Sequence, residues 1–239
     1  MFQNKDFIKG LKGGFPIFLG YLPVSFTFGF MAVSGGFPVW LAVLMSLTNL
    51  TSAGQFAGTN LIIAGVSYIE ISMTTFVINL RYMLMSLALS QKINRKIPVW
   101  KRLIFSFGIT DETFVVASTQ GENISASYML GLITLPFIGW AVGTFLGGSI
   151  SGILPVKLQN AMGIGLYAMF IAIVIPVARE SKQVLLIVIL AIIVTCILKY
   201  VPIFAFISSG FRIIIATVIA AGIGAFLFPK TYEEEGETL

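Results

Sequence analysis

SMTTFVINLRYMLMSLALSQKINRKIPVWKRLIFSFGITDE, residues 72–112, decides how the chain is read. Two apolar segments flank a basic cluster: Lys92, Arg95, Lys96, Lys101 and Arg102. Arg81 interrupts the first segment, and Asp111 and Glu112 interrupt the second. An ionisable group held in hydrocarbon costs roughly 2.5–3.5 kcal/mol even on lenient scales, so its presence points to function. The basic cluster marks a cytoplasmic loop, because Lys and Arg accumulate on that side of a membrane.

The rest of the composition agrees with a membrane setting. The chain has 239 residues, of which 57% are hydrophobic and 10% charged, with a mean hydropathy of +0.96. Soluble domains carry about 25% charge. The chain therefore reads as an all-α integral membrane protein. At ~20 apolar residues per crossing, its length allows roughly seven to eight transmembrane segments in one bundle. The expected layout is an amphipathic cytoplasmic lead-in over 1–12, one transmembrane domain over 13–229 and an acidic disordered tail over 230–239. Lys5, Lys9 and Lys12 put the N-terminus in the cytoplasm. The net charge of +5 reports this orientation and is no sign of nucleic-acid binding. Histidine is absent, which removes the commonest metal ligand and the commonest proton carrier near neutral pH. The one cysteine, Cys196, allows no intrachain disulfide.

Residues 38–66 are apolar at both ends and small or polar in the middle, from Ser46 through Asn49, Ser52, Gly54 and Gln55 to Asn60. Both basic regions lie inside, so an even number of crossings separates them. Span 1 (14–33) and the span at 70–90 already make two. The 38–66 segment is expected to be broken or re-entrant, interrupted near Ser52-Gly54-Gln55. Unwound backbone at membrane depth exists only where it lines a cavity or is buried in protein, and carriers place substrates and ions at such breaks.

A span over 101–119 follows the basic loop, and Gln120–Asn123 reads as a loop on the opposite side. At 1.5 Å per residue, Arg81 and Asp111 both sit ~14 Å deep, near the middle of a ~30 Å core. Neighbouring helices would let Arg81 pair with Asp111 or Glu112, either as a fixed helix-orienting ion pair or as a charge set that meets an ionic substrate or carries a proton. The glycines Gly131, Gly139, Gly143, Gly147 and Gly148 predict a close-packing face on span 5 (127–150). Spans at 160–178, 183–199 and 203–228 complete the count. Leu22-Pro23 before Gly35-Gly36, and Leu135-Pro136 before Gly147-Gly148, form the pattern an inverted repeat would leave.

No phosphate-binding Gly-rich loop, Cys/His cluster or catalytic triad is present, so neither an enzyme nor a cofactor is expected. A secondary transporter is the simplest class left. An uncoupled facilitator or channel, or a non-transporting scaffold subunit, is the alternative.

Several stretches together resemble the AzlC family of branched-chain amino acid permeases. They are Gly14-Phe15-Pro16 with Gly20-Tyr21-Leu22-Pro23 and Phe28-Gly29; Met45-Ser46 leading to Ala53-Gly54-Gln55-Phe56; Ile78-Asn79-Leu80-Arg81-Tyr82; Thr110-Asp111-Glu112; and Gly165–Ile171. Where the family often has His after Asn-Leu-Arg, this chain has Tyr82. The resemblance implies export of branched-chain amino acids, sometimes methionine, across a bacterial plasma membrane, together with a small AzlD-type membrane subunit. A small hydrophobic amino acid needs charged or carbonyl groups for its zwitterion and an apolar pocket for its side chain. The expected substrate-binding set is Ser52, Gly54, Gln55, Asn79, Arg81 and Tyr167, and the expected proton-coupling residues are Asp111 and Glu112.

Overall fold

The computed structural model describes residues 4–94, 96–121, 123–152, 171, 174–176 and 178–228. The described residues form helices joined by short turns, with one isolated bridge between Ile93 and Ile124. Among the described residues, seven helices lie in the first of two compact units, Met1–Met169: α1 (Asn4–Ser34), α2 (Val39–Thr48), α3 (Ala53–Ile63), α4 (Tyr68–Lys92), α5 (Val99–Ser106), α6 (Asp111–Ser118) and α7 (Ala126–Ile150). The second unit, Phe170–Leu239, contains α8 (Lys182–Tyr200) and α9 (Ser209–Leu227), joined through a short 3-10 turn at Pro202–Phe204. Five of these helices (α1, α4, α7, α8 and α9) are long and apolar enough to cross a membrane. The expected span at 160–178 lies mostly outside the described residues, as do Tyr167 and the tail.

The core of the first unit is the contact between α1 and α7. Gly10 faces the Tyr128 carbonyl, Gly143 faces Ser25, Gly147 faces the Phe26 carbonyl and Gly29 faces Thr144. Residue numbers rise together along both helices, so α1 and α7 run in the same direction. A side chain at Gly29 or Gly147 would run into the partner's backbone; the glycine stripe read from the sequence is what lets the two axes approach. Parallel packing also corrects the repeat pairing. Leu22-Pro23 and Leu135-Pro136 lie on helices of the same sense, so they are not inverted copies.

A different duplication is visible in the chain's course. The α2–α3 pair starts beside the C-terminal end of α1, where Val39 approaches Gly148, and returns there, with Ile63 packed against Gly35. Its middle reaches Trp140 and Thr144, well inside α7. α4 then runs back, opposite to α1. Its end meets the segment before α7: the Asn94 N–H donates to the Ile124 carbonyl at 3.2 Å, and the Ile124 N–H donates to the Lys92 carbonyl at 3.0 Å. Ser125 in turn donates to Asp6 at 2.6 Å, so this is the N-terminal end of α1. The α5–α6 pair leaves and rejoins at that end. Long helix, Pro-Val-Trp, short helix, break, short helix therefore occurs twice in opposite senses, with Pro38-Val39-Trp40 and Pro98-Val99-Trp100 at matching points. A proline fixes its own backbone for the start of a helix and ends what precedes it.

Two expectations change here. The span over 101–119 is not one helix, because α5 ends at Ser106 and α6 begins at Asp111. Thr110 caps α6 and shares a reciprocal capping box with Thr113, which fixes a new helix start where apolar composition suggested continuity. The Gln120–Asn123 loop consequently lies at the same end as Lys92, not the opposite one.

Candidate functional site

The two breaks meet part-way along α1 and α7. At the first, Thr51 and Ser52 separate α2 from α3, and Ser52 adopts φ 45°, ψ −95°. A non-glycine residue in that region costs about 1–3 kcal/mol and persists only where its surroundings impose it. The surroundings are a closed polar ring. Trp140 Nε1 donates to Gln55 Oε1 at 2.9 Å, and Gln55 Nε2 donates to Ser46 Oγ at 2.8 Å. Ser46 Oγ lies 2.7 Å from Thr144 Oγ1, whose proton goes to the Trp140 carbonyl at 2.9 Å. Gln55, Ser46 and Thr144 are all buried. The Gln55 amide is thus committed to holding the break against α7. Gly54 packs directly on the Asn79 side chain of α4, where any Cβ would collide with it.

The second break presents Thr110, Asp111 and Glu112. Asp111 Oδ2 lies 2.7 Å from Arg81 Nη1, and both side chains keep about a third of their surface exposed (33% and 36%). Of the two partners the sequence offered Arg81, the structure pairs it with Asp111. Glu112 points elsewhere: it accepts from the Tyr21 hydroxyl of α1 at 2.5 Å. Tyr21 Oη is also 2.7 Å from Thr110 Oγ1, and the Tyr21 ring stands edge-on to Trp140 with centroids 5.1 Å apart.

Arg81 and Tyr82 join the two breaks. Arg81 Nη2 donates to Tyr82 Oη at 3.3 Å, and the guanidinium carbon lies 5.0 Å from the Tyr82 ring centroid. Tyr82 Oη donates to the Thr51 carbonyl at 3.0 Å. A continuous path therefore runs from the first break through Tyr82 and Arg81 to Asp111. Asn79 Oδ1 and Arg81 Nε are buried without a hydrogen-bond partner, which leaves one acceptor and one donor unused beside this path.

Of the expected residues, Gly54, Asn79, Arg81 and Asp111 converge on the path. Glu112 lies beside it, Gln55 braces it from behind, and Ser52 supplies its backbone turn. Tyr167 lies outside the described residues. Tyr21, Ser46, Trp140 and Thr144 were not singled out as site residues. Tyr21 and Ser46 lie in stretches that carry the family resemblance, whereas Trp140 and Thr144 carry no distinguishing sequence signal, since aromatic and small hydroxyl residues inside apolar helices also serve ordinary packing.

A model of the family described as AzlC protein matches residues 16–154, which include both breaks and all of α7 up to its end. The chain belongs to the AzlC family. Among its relatives is an uncharacterized membrane protein of Archaeoglobus fulgidus, 34% identical over 176 residues, covering 73% of this chain and 77% of the relative. The inner membrane protein YgaZ of Escherichia coli is 29% identical over 187 residues, covering 75% and 76%. The branched-chain amino acid transport protein AzlC of Bacillus subtilis is 22% identical over 171 residues, covering 70% and 66%. No solved structure matches the chain. With relatives named as membrane proteins and five apolar helices of crossing length, this member of the AzlC family is a membrane protein.

Proposed function

We propose that the chain is the large subunit of a secondary transporter that exports branched-chain amino acids, methionine among its further substrates, driven by the proton motive force. The observation that carries this reading is the Arg81–Asp111 pair, about a third exposed, between two broken helix pairs. A substrate carboxylate can replace Asp111 on the Arg81 guanidinium, a planar fork suited to carboxylates. The released Asp111, with the unused Asn79 oxygen, is then available to the ammonium group. Apolar surface from the surrounding helices accommodates the aliphatic side chain.

In this reading α2–α3 and α5–α6 are re-entrant elements that approach the membrane centre from opposite faces. Trp40 and Trp100 are exposed at their outer ends (66% and 58%), the place where tryptophan anchors at a membrane interface. That the two basic regions share one end of the first unit supports a cytoplasmic N-terminus and Lys92–Arg102 loop in a bacterial cell. The Bacillus subtilis relative's name supports the substrate class. A small AzlD-type membrane subunit completes the transporter.

Vesicles containing the chain together with such a subunit test the reading. Leucine or valine should accumulate against its gradient when a pH gradient is imposed, and an uncoupler should abolish the accumulation. Equilibration insensitive to the uncoupler would establish a facilitator, and no amino acid binding at all would establish a scaffold.

A further inference from the structure

We propose a division of labour between the two adjacent carboxylates: Glu112 takes up and releases the proton, Asp111 is the resident counter-ion of Arg81, and Tyr21 positions Glu112. This rests on the proton-coupled reading above and adds to it which group titrates and what holds that group.

Asp111 and Glu112 are consecutive residues in the first turn of α6, so their side chains diverge by about 100° around the helix. One faces α4 and the other faces α1. The charged and titratable groups around Glu112 are Tyr21 from α1, Arg81 and Tyr82 from α4, and Asp111 from α6 itself. The described part of α7 offers Trp140 at this level and no ionisable group. Among the described residues, one cation therefore serves two carboxylates. Arg81 makes its ion pair with Asp111 at 2.7 Å, while Glu112 receives only the neutral Tyr21 hydroxyl at 2.5 Å.

A carboxylate with no cation in contact accepts a proton at less cost than one held in an ion pair, because protonating Asp111 would leave the Arg81 charge unmatched. Two such neighbouring groups titrate as a pair, and the geometry points to the side on which the proton resides. The step itself is an acid–base exchange. A hydronium ion from the open side gives its proton to the Glu112 carboxylate, an O–H bond forms, and water remains. Release to water on the other side reverses it.

Tyr21 is placed to answer that change. Its hydroxyl lies between two oxygens, Glu112 Oε2 at 2.5 Å and Thr110 Oγ1 at 2.7 Å. With Glu112 ionised, the Tyr21 proton is held by the carboxylate. With Glu112 protonated, it can turn to Thr110, and the Glu112 hydroxyl becomes the donor. Tyr21 is fixed on the rigid α1–α7 contact and backed by Trp140, whereas both acceptors belong to the tip of the second helix pair. Tyr21 is thus a positioning residue that links the protonation state of Glu112 to the scaffold.

The test is leucine counterflow in vesicles, measured across pH for wild type and Glu112→Gln, Glu112→Asp, Asp111→Asn and Tyr21→Phe. The expected result is loss of pH dependence in Glu112→Gln and a displaced pH midpoint in both Glu112→Asp and Tyr21→Phe. Asp111→Asn should remain pH-dependent while binding leucine more weakly. A pH-independent Asp111→Asn beside a pH-dependent Glu112→Gln overturns the assignment. If Glu112→Gln does not assemble, unshifted midpoints in both Glu112→Asp and Tyr21→Phe overturn it instead. A wild type insensitive to pH sinks the proton-coupled reading itself, and this is seen before any variant is compared.

Discussion

The Tyr82 hydroxyl donates to the backbone carbonyl of Thr51 at 3.0 Å, across 31 residues of sequence, and so holds the first helix break against the residue next to Arg81. The same hydroxyl accepts from Arg81. One side chain therefore sets the position of both the unwound backbone and the guanidinium. Tyr82→Phe keeps the ring beneath Arg81 and removes both hydrogen bonds. A net hydrogen bond is worth about 0.5–1.5 kcal/mol, and Arg81 keeps its Asp111 partner. Leucine affinity is expected to fall roughly threefold to tenfold with folding intact. Calorimetric titration of the purified protein measures this, and an unchanged affinity would remove Tyr82 from the site.

Gln55 and Trp140 make the opposite case, a pair whose loss should be felt in stability. Trp140→Phe removes the donor to Gln55 Oε1 and leaves that oxygen buried. An unsatisfied buried acceptor costs about 1–3 kcal/mol, in addition to the lost indole packing. The melting temperature in detergent should drop clearly. The double variant Trp140→Phe/Gln55→Leu should recover part of the loss, because the orphaned group is gone. No recovery would mean that indole packing, not the hydrogen bond, is what Trp140 supplies.

Gly147 lies where the Phe26 carbonyl of α1 leaves no room for a side chain. Gly147→Leu should separate α1 from α7 and prevent assembly of a monodisperse protein. Gly20 has open space where its side chain would be, so Gly20→Leu should behave as wild type on size exclusion. Equal behaviour of the two variants would contradict the α1–α7 packing.

In the membrane arrangement proposed above, the opposed helix pairs put Trp40 and Trp100 at opposite faces. In a Cys196→Ser background, Trp40→Cys and Trp100→Cys should be labelled by a membrane-impermeant maleimide from opposite sides of oriented vesicles. Labelling of both from one side would rule out the arrangement proposed for the membrane.

How much of this was legible in the sequence differs from feature to feature. Arg81 and Asp111 could be picked out as partners because both are charges in apolar surroundings on neighbouring segments, although the constant helical rise used to level them does not hold across the break before Asp111. The first break was legible because Asn49, Thr51, Ser52 and Gly54 have no reason to lie in hydrocarbon otherwise. The second break was not, because Ile104, Phe105, Phe107 and Ile109 surround Gly108 with residues that suit a continuous span. Only the return of Pro-Val-Trp at residues 98–100 signals that a second copy begins there. Gln55 stood out as a polar group in an apolar stretch, yet its amide is fully engaged by Trp140 and Ser46; sequence displays a polar group but not its partners. Trp140 was hidden for the converse reason, since an aromatic residue on an apolar helix reads as packing.

The central claim is that an amino acid substrate binds at the Arg81–Asp111 pair. The most direct measurement is the melting temperature of the purified protein with and without leucine, for wild type and for the double variant Arg81→Ala/Asp111→Ala. The double variant removes both charges together, so neither is left buried alone. Leucine should raise the melting temperature of the wild type in proportion to its occupancy and leave the folded double variant unmoved. An equal leucine-dependent rise in both proteins would contradict the account.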